Sequence, residues 1–188
     1  ASRLEETPFR VALIGALMLG GGVGSVAVAE QGVAAGLAAV AVAIIPLGTL
    51  LLSLLWGERP AAVDWAALLV GLGGVVLLNM EQTMRANPAG ALALALAPMS
   101  WALGSNLSKH RDVPGGGMGF AVELLAGAVL LLALGPLRGE RLPEAVSLRS
   151  GLALAYLALF GSLVAFSAYM YAVGRVRLAV ATSYAYVN

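Results

Sequence analysis

The sequence predicts an all-α, polytopic helical membrane protein. Three observations carry this. Of 188 residues, 60% are hydrophobic and only 11% charged, and the mean hydropathy is +0.91, outside the range of water-soluble domains. The apolar residues fall in long uncharged runs, the clearest from Val33 to Trp56. A helix needs about 20 such residues to cross a hydrocarbon layer of about 30 Å. Short charged turns such as Gly57, Glu58, Arg59 and Pro60 then return the chain to water.

In order, the apolar runs are Val11 to Ala29, Val33 to Trp56, Trp65 to Leu78, Ala89 to Leu107, Met118 to Leu137 and Gly151 to Val173, followed by a cut run from Leu178. That makes six spans and part of a seventh. In the second run Pro46 lacks the N–H that would bond the carbonyl four residues earlier, and its ring clashes there, so a kink is expected at mid-membrane depth, a place where kinks often line cavities. The third run is short, which places its helix start at Val63 or Asp64 with Trp65 as interfacial anchor. If the first span runs outward, the inner segments carry Arg3, Arg10, Arg59, Lys109, Arg111, Arg175 and Arg177, and the outer ones Arg85, Arg138, Arg141 and Arg149. Seven against four favours this orientation.

Composition excludes several classes of function. With no cysteine and His110 as the sole histidine, there is no disulfide framework and no thiolate or histidine metal centre, and no cofactor is implied. A net charge of +1, spread over short loops, gives neither a nucleic-acid surface nor a polybasic lipid tether. The string GGGVGS at residues 20–25 lies inside an apolar helix with no βαβ pattern around it, so a phosphate loop is a poor reading. Gly20 and Gly24, then Gly32 and Gly36, have instead the four-residue spacing that lets membrane helices approach closely. Gly115, Gly116 and Gly117 read as flexible linker.

An internal repeat is visible between Gly20–Pro46 and Phe160–Asn188: small residues in one helix, a tight turn, then an Ala/Val-rich helix, about 140 residues apart. Five helices with their loops give that period, so a ten-helix protein of two five-helix halves completes the pattern. The chain opens on a polar stretch without an initiating Met, and its last run stops short of spanning length. It therefore reads as a fragment.

The string GERPAAVDWAALLVGLGGVVLL, residues 57–78, resembles the turn between helices 4 and 5 of EamA-type drug/metabolite transporters, with Ala67 where the family commonly has glycine. AVAEQGVAAGLAAVAVAIIPL, SWALGSNLSKHRDVP and YLALFGSLVAFSAYMYAVGRVRLAVATSYAYVN are similar to helices 3 to 4, helix 6 and helices 8 to 9 of the YedA-like branch of bacterial inner-membrane exporters. The resemblance implies a piece running from about helix 3 to the start of helix 9 of a ten-helix, two-repeat transporter with cytoplasmic termini. Residues 1–79 would end the first repeat (helices 3–5), and residues 88–188 would begin the second (helices 6–8 and part of 9).

Candidate functional residues are few. Glu123 is the ionisable residue placed inside a span, and since burying a carboxylate costs about 2.5–3.5 kcal/mol it should face protein or a wet cavity. Gly119 and Gly127 flank it at four-residue spacing. It serves either as a proton-coupling site or as an interfacial carboxylate bonded to a neighbouring helix. Glu30, at a helix end, suits a solvated or capping role better than a substrate role. Trp101 and Ser105 share a helix face beside a small-residue stripe of Ser100 and Gly104. Ser162 and Tyr169 lie seven apart on one face, and Tyr184 and Asn188 four apart on another. Tyr169 and Tyr171 are either pathway or interfacial belt residues.

The function read from this pattern is an inner-membrane secondary transporter, a probable exporter in direction, moving a small organic metabolite or drug by alternating access. Its partners are the lipid bilayer, the solute and, through Glu123, protons. Pro46 is the expected hinge, and Trp101, Ser105, Tyr169, Tyr184 and Asn188 the expected pathway lining. A passive channel or structural scaffold is the alternative. A membrane-embedded enzyme is a weaker one, because it needs a nucleophile and a base within the spans, and although Ser25 and Ser105 are present, His110 sits in a polar loop and there is no cysteine.

Overall fold

The computed structural model describes residues 2–80, 87–110, 117–141 and 145–187, with the side chains of residues 2–7 and of Gly117 left aside. Asn188, Arg85, Arg111, Gly115 and Gly116 lie outside the described residues. Among the described residues the chain is helical, with no β-strand. The helices are α1 (Ser2–Gly15), α2 (Gly24–Ala29), α3 (Ala35–Val42), α4 (Ile45–Ser53), α5 (Ala62–Asn79), α6 (Pro88–His110), α7 (Gly117–Leu137), α8 (Leu148–Tyr156), α9 (Phe166–Val173) and α10 (Leu178–Thr182). Wide π-turns, Ala16–Val23 and Leu157–Ala165, join α1 to α2 and α8 to α9. Among the described residues, five helical stretches are long and apolar enough to span: Pro8–Ala29, Ala35–Trp56, Ala62–Asn79, Met118–Leu137 and Leu148–Val173. The remaining expected span, the fourth in order, is α6, 23 residues long but more polar, because it runs through the interior against the first span, α3, α4 and α9.

The helix boundaries follow local chemistry. Helix α5 begins at Ala62, where the Asp64 carboxylate accepts the Ala61 N–H at 2.8 Å and satisfies a donor left free at every helix start. Helix α8 begins three residues before the apolar run because the Ser147 hydroxyl accepts the Ser150 N–H at 3.1 Å. Gly57, at φ 78°, ends the second span, a left-handed conformation that glycine adopts without a side-chain penalty. Glu58 is half-buried and Arg59 exposed at that end, as expected of a membrane-surface turn.

Pro46 breaks its helix as expected. The α-ladder gives way at Ala43 and Ile44, where Ile44 N–H bonds Ala41 O at 3.1 Å, three residues back, and helix resumes at Ile45 with Pro46 in its first turn. His110 corrects the sequence reading: it is the last residue of α6 rather than part of a loop. Its Nε2 lies 3.0 Å from Glu58 Oε1 and its ring stacks on Trp56, 5.2 Å between centroids.

Glycine sets the spacing of the first span. It runs parallel to α7 and antiparallel to α6, and a Cβ at Gly15 would collide with the backbone of Glu123, at Gly20 with Leu130 and at Gly24 with Leu131. On the other side Gly21 admits Ser100, while Gly104 of α6 admits Met18. The Ser100 hydroxyl donates to Leu17 O across this seam at 2.7 Å. Close approach of this kind replaces the hydrophobic driving force that lipid removes. The first span and the last share an order of elements: a π-turn, a short helix (α2 or α9), a tight turn, then a helix that starts after an extended residue, Ala34 or Arg177.

Gly15→Ala in the full-length protein should therefore lower the apparent Tm in detergent by several degrees, since overpacking a tight contact costs about 1–3 kcal/mol. Gly73→Ala, where an added Cβ meets nothing within 4 Å, should leave Tm unchanged or raise it through helix propensity.

Candidate functional site: an aromatic-walled cavity closed at one end

The interior of the bundle is built on Trp101. Its Nε1–H donates to Tyr169 Oη at 3.2 Å, Tyr169 Oη lies 2.7 Å from Ser105 Oγ, and Ser105 donates back to Trp101 O at 2.8 Å. Each hydroxyl has one proton. With Ser105's committed to a carbonyl, Tyr169 must donate to Ser105, and the bonds close into a ring that begins and ends on one residue. A closed, buried ring of this kind fixes side-chain rotamers, because each donor polarises the next. Around it pack Phe166, edge-on to Trp101 at 6.1 Å, and Tyr184, edge-on to Tyr169 at 5.4 Å. Trp101, Phe166 and Tyr169 belong to one cluster with Ile14, Met18, Ile45 and Leu178.

Beside this cluster lies a cavity of about 300 Å³, at the lower end of the size of small-molecule sites. One wall is the first span, from Gly22 through Val26 to Glu30; the other is Val42, Ile45, Ala97, Trp101 and Tyr184. Gly22 sits over the indole, where a Cβ would come within 2.9 Å of Trp101 Cε3. The cavity reaches the turn at Glu30, which is exposed. At its inner end Ile45 lies midway along the second span and Trp101 midway along α6. The half of the bundle toward Glu58 contributes no lining residue.

That other half holds a layer of buried polar side chains, with a small cavity of about 40 Å³ beside Ser53, Glu58, Asp64 and Arg177. Thr49, Ser53, Ser105, Asn106 and Thr182 are all buried there. Thr49 Oγ1 lies 2.9 Å from Pro46 O and 3.2 Å from Thr182 Oγ1, which in turn lies 2.9 Å from Leu178 O. Two hydroxyl protons thus serve three contacts, so the bond between α4 and α10 is made only when one threonine gives up its own helix carbonyl. Asn106 spends both amide protons on Thr49 O (3.1 Å) and Ala102 O (2.9 Å), while its Oδ1 is buried without a partner among the described residues. Reversing the amide would aim oxygen at two carbonyls, so this orientation stands. Beyond this layer, Glu58 Oε1 pairs with Lys109 at 3.1 Å and Asp64 Oδ2 with Arg177 at 2.8 Å, while Lys109 also reaches Val176 O at 3.4 Å.

Glu123 stands apart from the cavity. It is 2% exposed, lies against Gly15 of α1, and its Oε2 has no hydrogen-bond partner among the described residues. It faces protein, as the cost of a buried carboxylate requires. Trp101, Ser105, Tyr169 and Tyr184 come together as one unit; Pro46 forms the break beside them. Tyr171 points outward, with the Arg175 guanidinium 4.1 Å over its ring. Ser162 is exposed although Tyr169 is buried. The π-turns between them widen the helix, so a seven-residue spacing no longer returns to the same face. Glu30, read as a solvated end residue, is both solvated and part of the cavity rim. Asn106, Thr49 and Thr182 escaped the sequence reading, although polar residues within apolar runs were the available signal.

A chain of antiparallel and parallel spanning helices enclosing a part-buried, aromatic-walled cavity belongs to the polytopic membrane proteins. More narrowly, the chain belongs to the EamA-like transporter family, which it matches over residues 2–80 and 88–188. It is 45% identical over 178 residues to the uncharacterized inner membrane transporter YedA of Escherichia coli K12 and, to the same degree, to that of Escherichia coli O157:H7. These alignments cover 94% of this chain and 58% of the relative. It is 32% identical over 163 residues to Protein PecM of Dickeya dadantii, covering 84% of this chain and 54% of that protein. The chain thus spans little more than half the length of these relatives. No solved structure matches it. The YedA-like resemblance in the sequence is borne out.

Tyr169→Phe should strand the buried Trp101 N–H and open the ring. A loss of about 1–3 kcal/mol is expected, read as a lower apparent Tm together with a shifted tryptophan emission. Ser105→Ala leaves Trp101 its bond to Tyr169 and should cost less.

Proposed function

We propose that this chain is part of a bacterial inner-membrane secondary transporter that exports a small organic metabolite or drug by alternating access. The observation that carries this reading is the cavity's asymmetry: it reaches the surface at the Glu30 turn and stops at Trp101 and Ile45, below which buried polar bonds and two ion pairs cross the bundle and leave a cavity of only about 40 Å³ between them. A site accessible from one end and blocked at the other is what one state of such a carrier requires. The inner-membrane location agrees with the printed description of the YedA relatives, and the charge asymmetry makes the Glu58 end cytoplasmic. In this reading residues 1–79 and 88–188 belong to two five-helix halves, and the like order of elements in the first and last spans supports the assignment. The YedA relatives are named as transporters, which accords with the absence of an enzymatic role from this proposal.

The chain's residues take defined parts. Pro46 is the hinge, because the ladder already fails at Ala43 and Ile44 and bending there breaks no further bond. Trp101, Ser105, Tyr169 and Tyr184 line or brace the solute pathway, with Asn188 assigned to the same lining from its spacing to Tyr184. The Thr49–Thr182 contact is the bond that opens when access switches. Glu123 is the proton-coupling site, and its seclusion against Gly15 supports a role in which water reaches it in only one state.

Full-length protein in proteoliposomes should show saturable counterflow, the transient accumulation of labelled solute driven by an unlabelled internal pool, when amines, amino acids and organic acids are tried in turn. Linear, non-saturating flux would favour a passive channel instead. Glu123→Gln keeps shape but cannot titrate. It should abolish uptake driven by a pH gradient while leaving solute-for-solute exchange, and a mutant that still concentrates solute on a pH difference would make Glu123 structural.

A further inference from the structure

We infer that the cavity takes a small organic monocation with an apolar body, an aryl- or alkylammonium, in preference to zwitterions and anions. This rests on the reading of the cavity as the solute site. The single charged side chain among the described lining residues is the Glu30 carboxylate, and none of those residues is a lysine, arginine or histidine. An anion entering it would meet no counter-charge. The carboxylate of a zwitterionic amino acid would be equally unpaired, and an unpaired charge in an apolar site is strongly disfavoured.

The remaining polar character of the wall also suits a cation. Trp101 has one hydrogen-bond donor, and it is spent on Tyr169 at 3.2 Å, so what the indole offers a ligand is π surface, electron-rich on its face. Tyr184 adds a second ring to the same wall. Val42, also in the wall, has a carbonyl whose usual donor four residues on is missing because that residue is Pro46. Carboxylate, two aromatic rings and a freed carbonyl all present negative potential. Val23, Val26, Ala27 and Ile45 supply the apolar surface that the body of the ligand would cover. With Glu30 at the exposed rim and Trp101 at the floor, the ammonium group has a carboxylate to meet on entry and a ring to rest on at depth.

The test is equilibrium binding of radiolabelled benzyltrimethylammonium to purified full-length protein in detergent, with phenylalanine and phenylacetate as competitors. Saturable binding is expected, weakened about tenfold or more by Glu30→Gln and largely kept by Glu30→Asp, with neither competitor displacing it. Glu30 is exposed, so its substitution leaves the packed interior untouched, and an unchanged size-exclusion profile and Tm would verify that. Undiminished binding by Glu30→Gln, or displacement by phenylacetate or phenylalanine, overturns the inference. So does a protein that carries out counterflow of another solute but binds no benzyltrimethylammonium, in which case the transport reading survives. Binding as expected with no counterflow of any solute, the cation included, leaves the cation site standing and removes the transport reading.

Discussion

The approach of the first span to α6 and α7 is the contact on which the interior depends. Lipid gives apolar helices no reason to leave it for one another, so association must come from close packing and buried hydrogen bonds. Gly15, Gly20 and Gly24 bring α7 in on one side, and Gly21, Gly22 and Gly104 bring α6 in on the other. Only because Gly22 carries no Cβ can the indole of Trp101 lie where it does. From there follow the Tyr169–Ser105 ring and the floor of the cavity. The wide turns over Ala16–Val23 belong to the same arrangement, since they change the facing of the glycines between the two ends of the span.

Several polar side chains inside the bundle bond a carbonyl of their own helix and also meet another helix. Ser105 donates to Trp101 O and meets Tyr169, Asn106 donates to Ala102 O and to Thr49 O, and Thr49 faces Thr182, one of the two giving up its own carbonyl when they bond. The second, interhelical bond is modest in strength, because its loss leaves the group still partnered at home. Helices joined in this way can part without stranding a donor. Asn106 Oδ1 and Glu123 Oε2 are buried without a partner among the described residues, and both sit on helices that touch the first span.

Cavity and carboxylate are separate in this structure but share a wall. The first span carries Gly15 against Glu123 and, two turns or more further on, Gly22 to Glu30 along the cavity. A displacement of the first span would therefore move one wall of the cavity together with the cover over Glu123. A rigid helix seated between two sites is a physical means of coupling them, with both sites biasing the position of one element.

The sequence alone determined the helical, membrane-spanning class, the order of the spans and the break at Pro46, because these depend on local properties: the length of an uncharged run and the missing N–H of proline. It also placed Trp101 and Ser105 on one face, since α6 is an unbroken helix whose periodicity can be counted. It failed at Ser162, where π-turns interrupt the count, and at His110, where Glu58 and Trp56 of another span hold the last turn of α6 in helical form. Tertiary structure decided that Glu123 stands away from the cavity, that Glu30 joins its rim, and that Asn106, Thr49 and Thr182 meet. Those facts depend on which helices lie beside which. In a chain of Ala, Leu, Val and Gly, nearly every helix face is apolar, so the choice of neighbours rests on Cβ-sized differences in shape that become visible only when the helices are packed together.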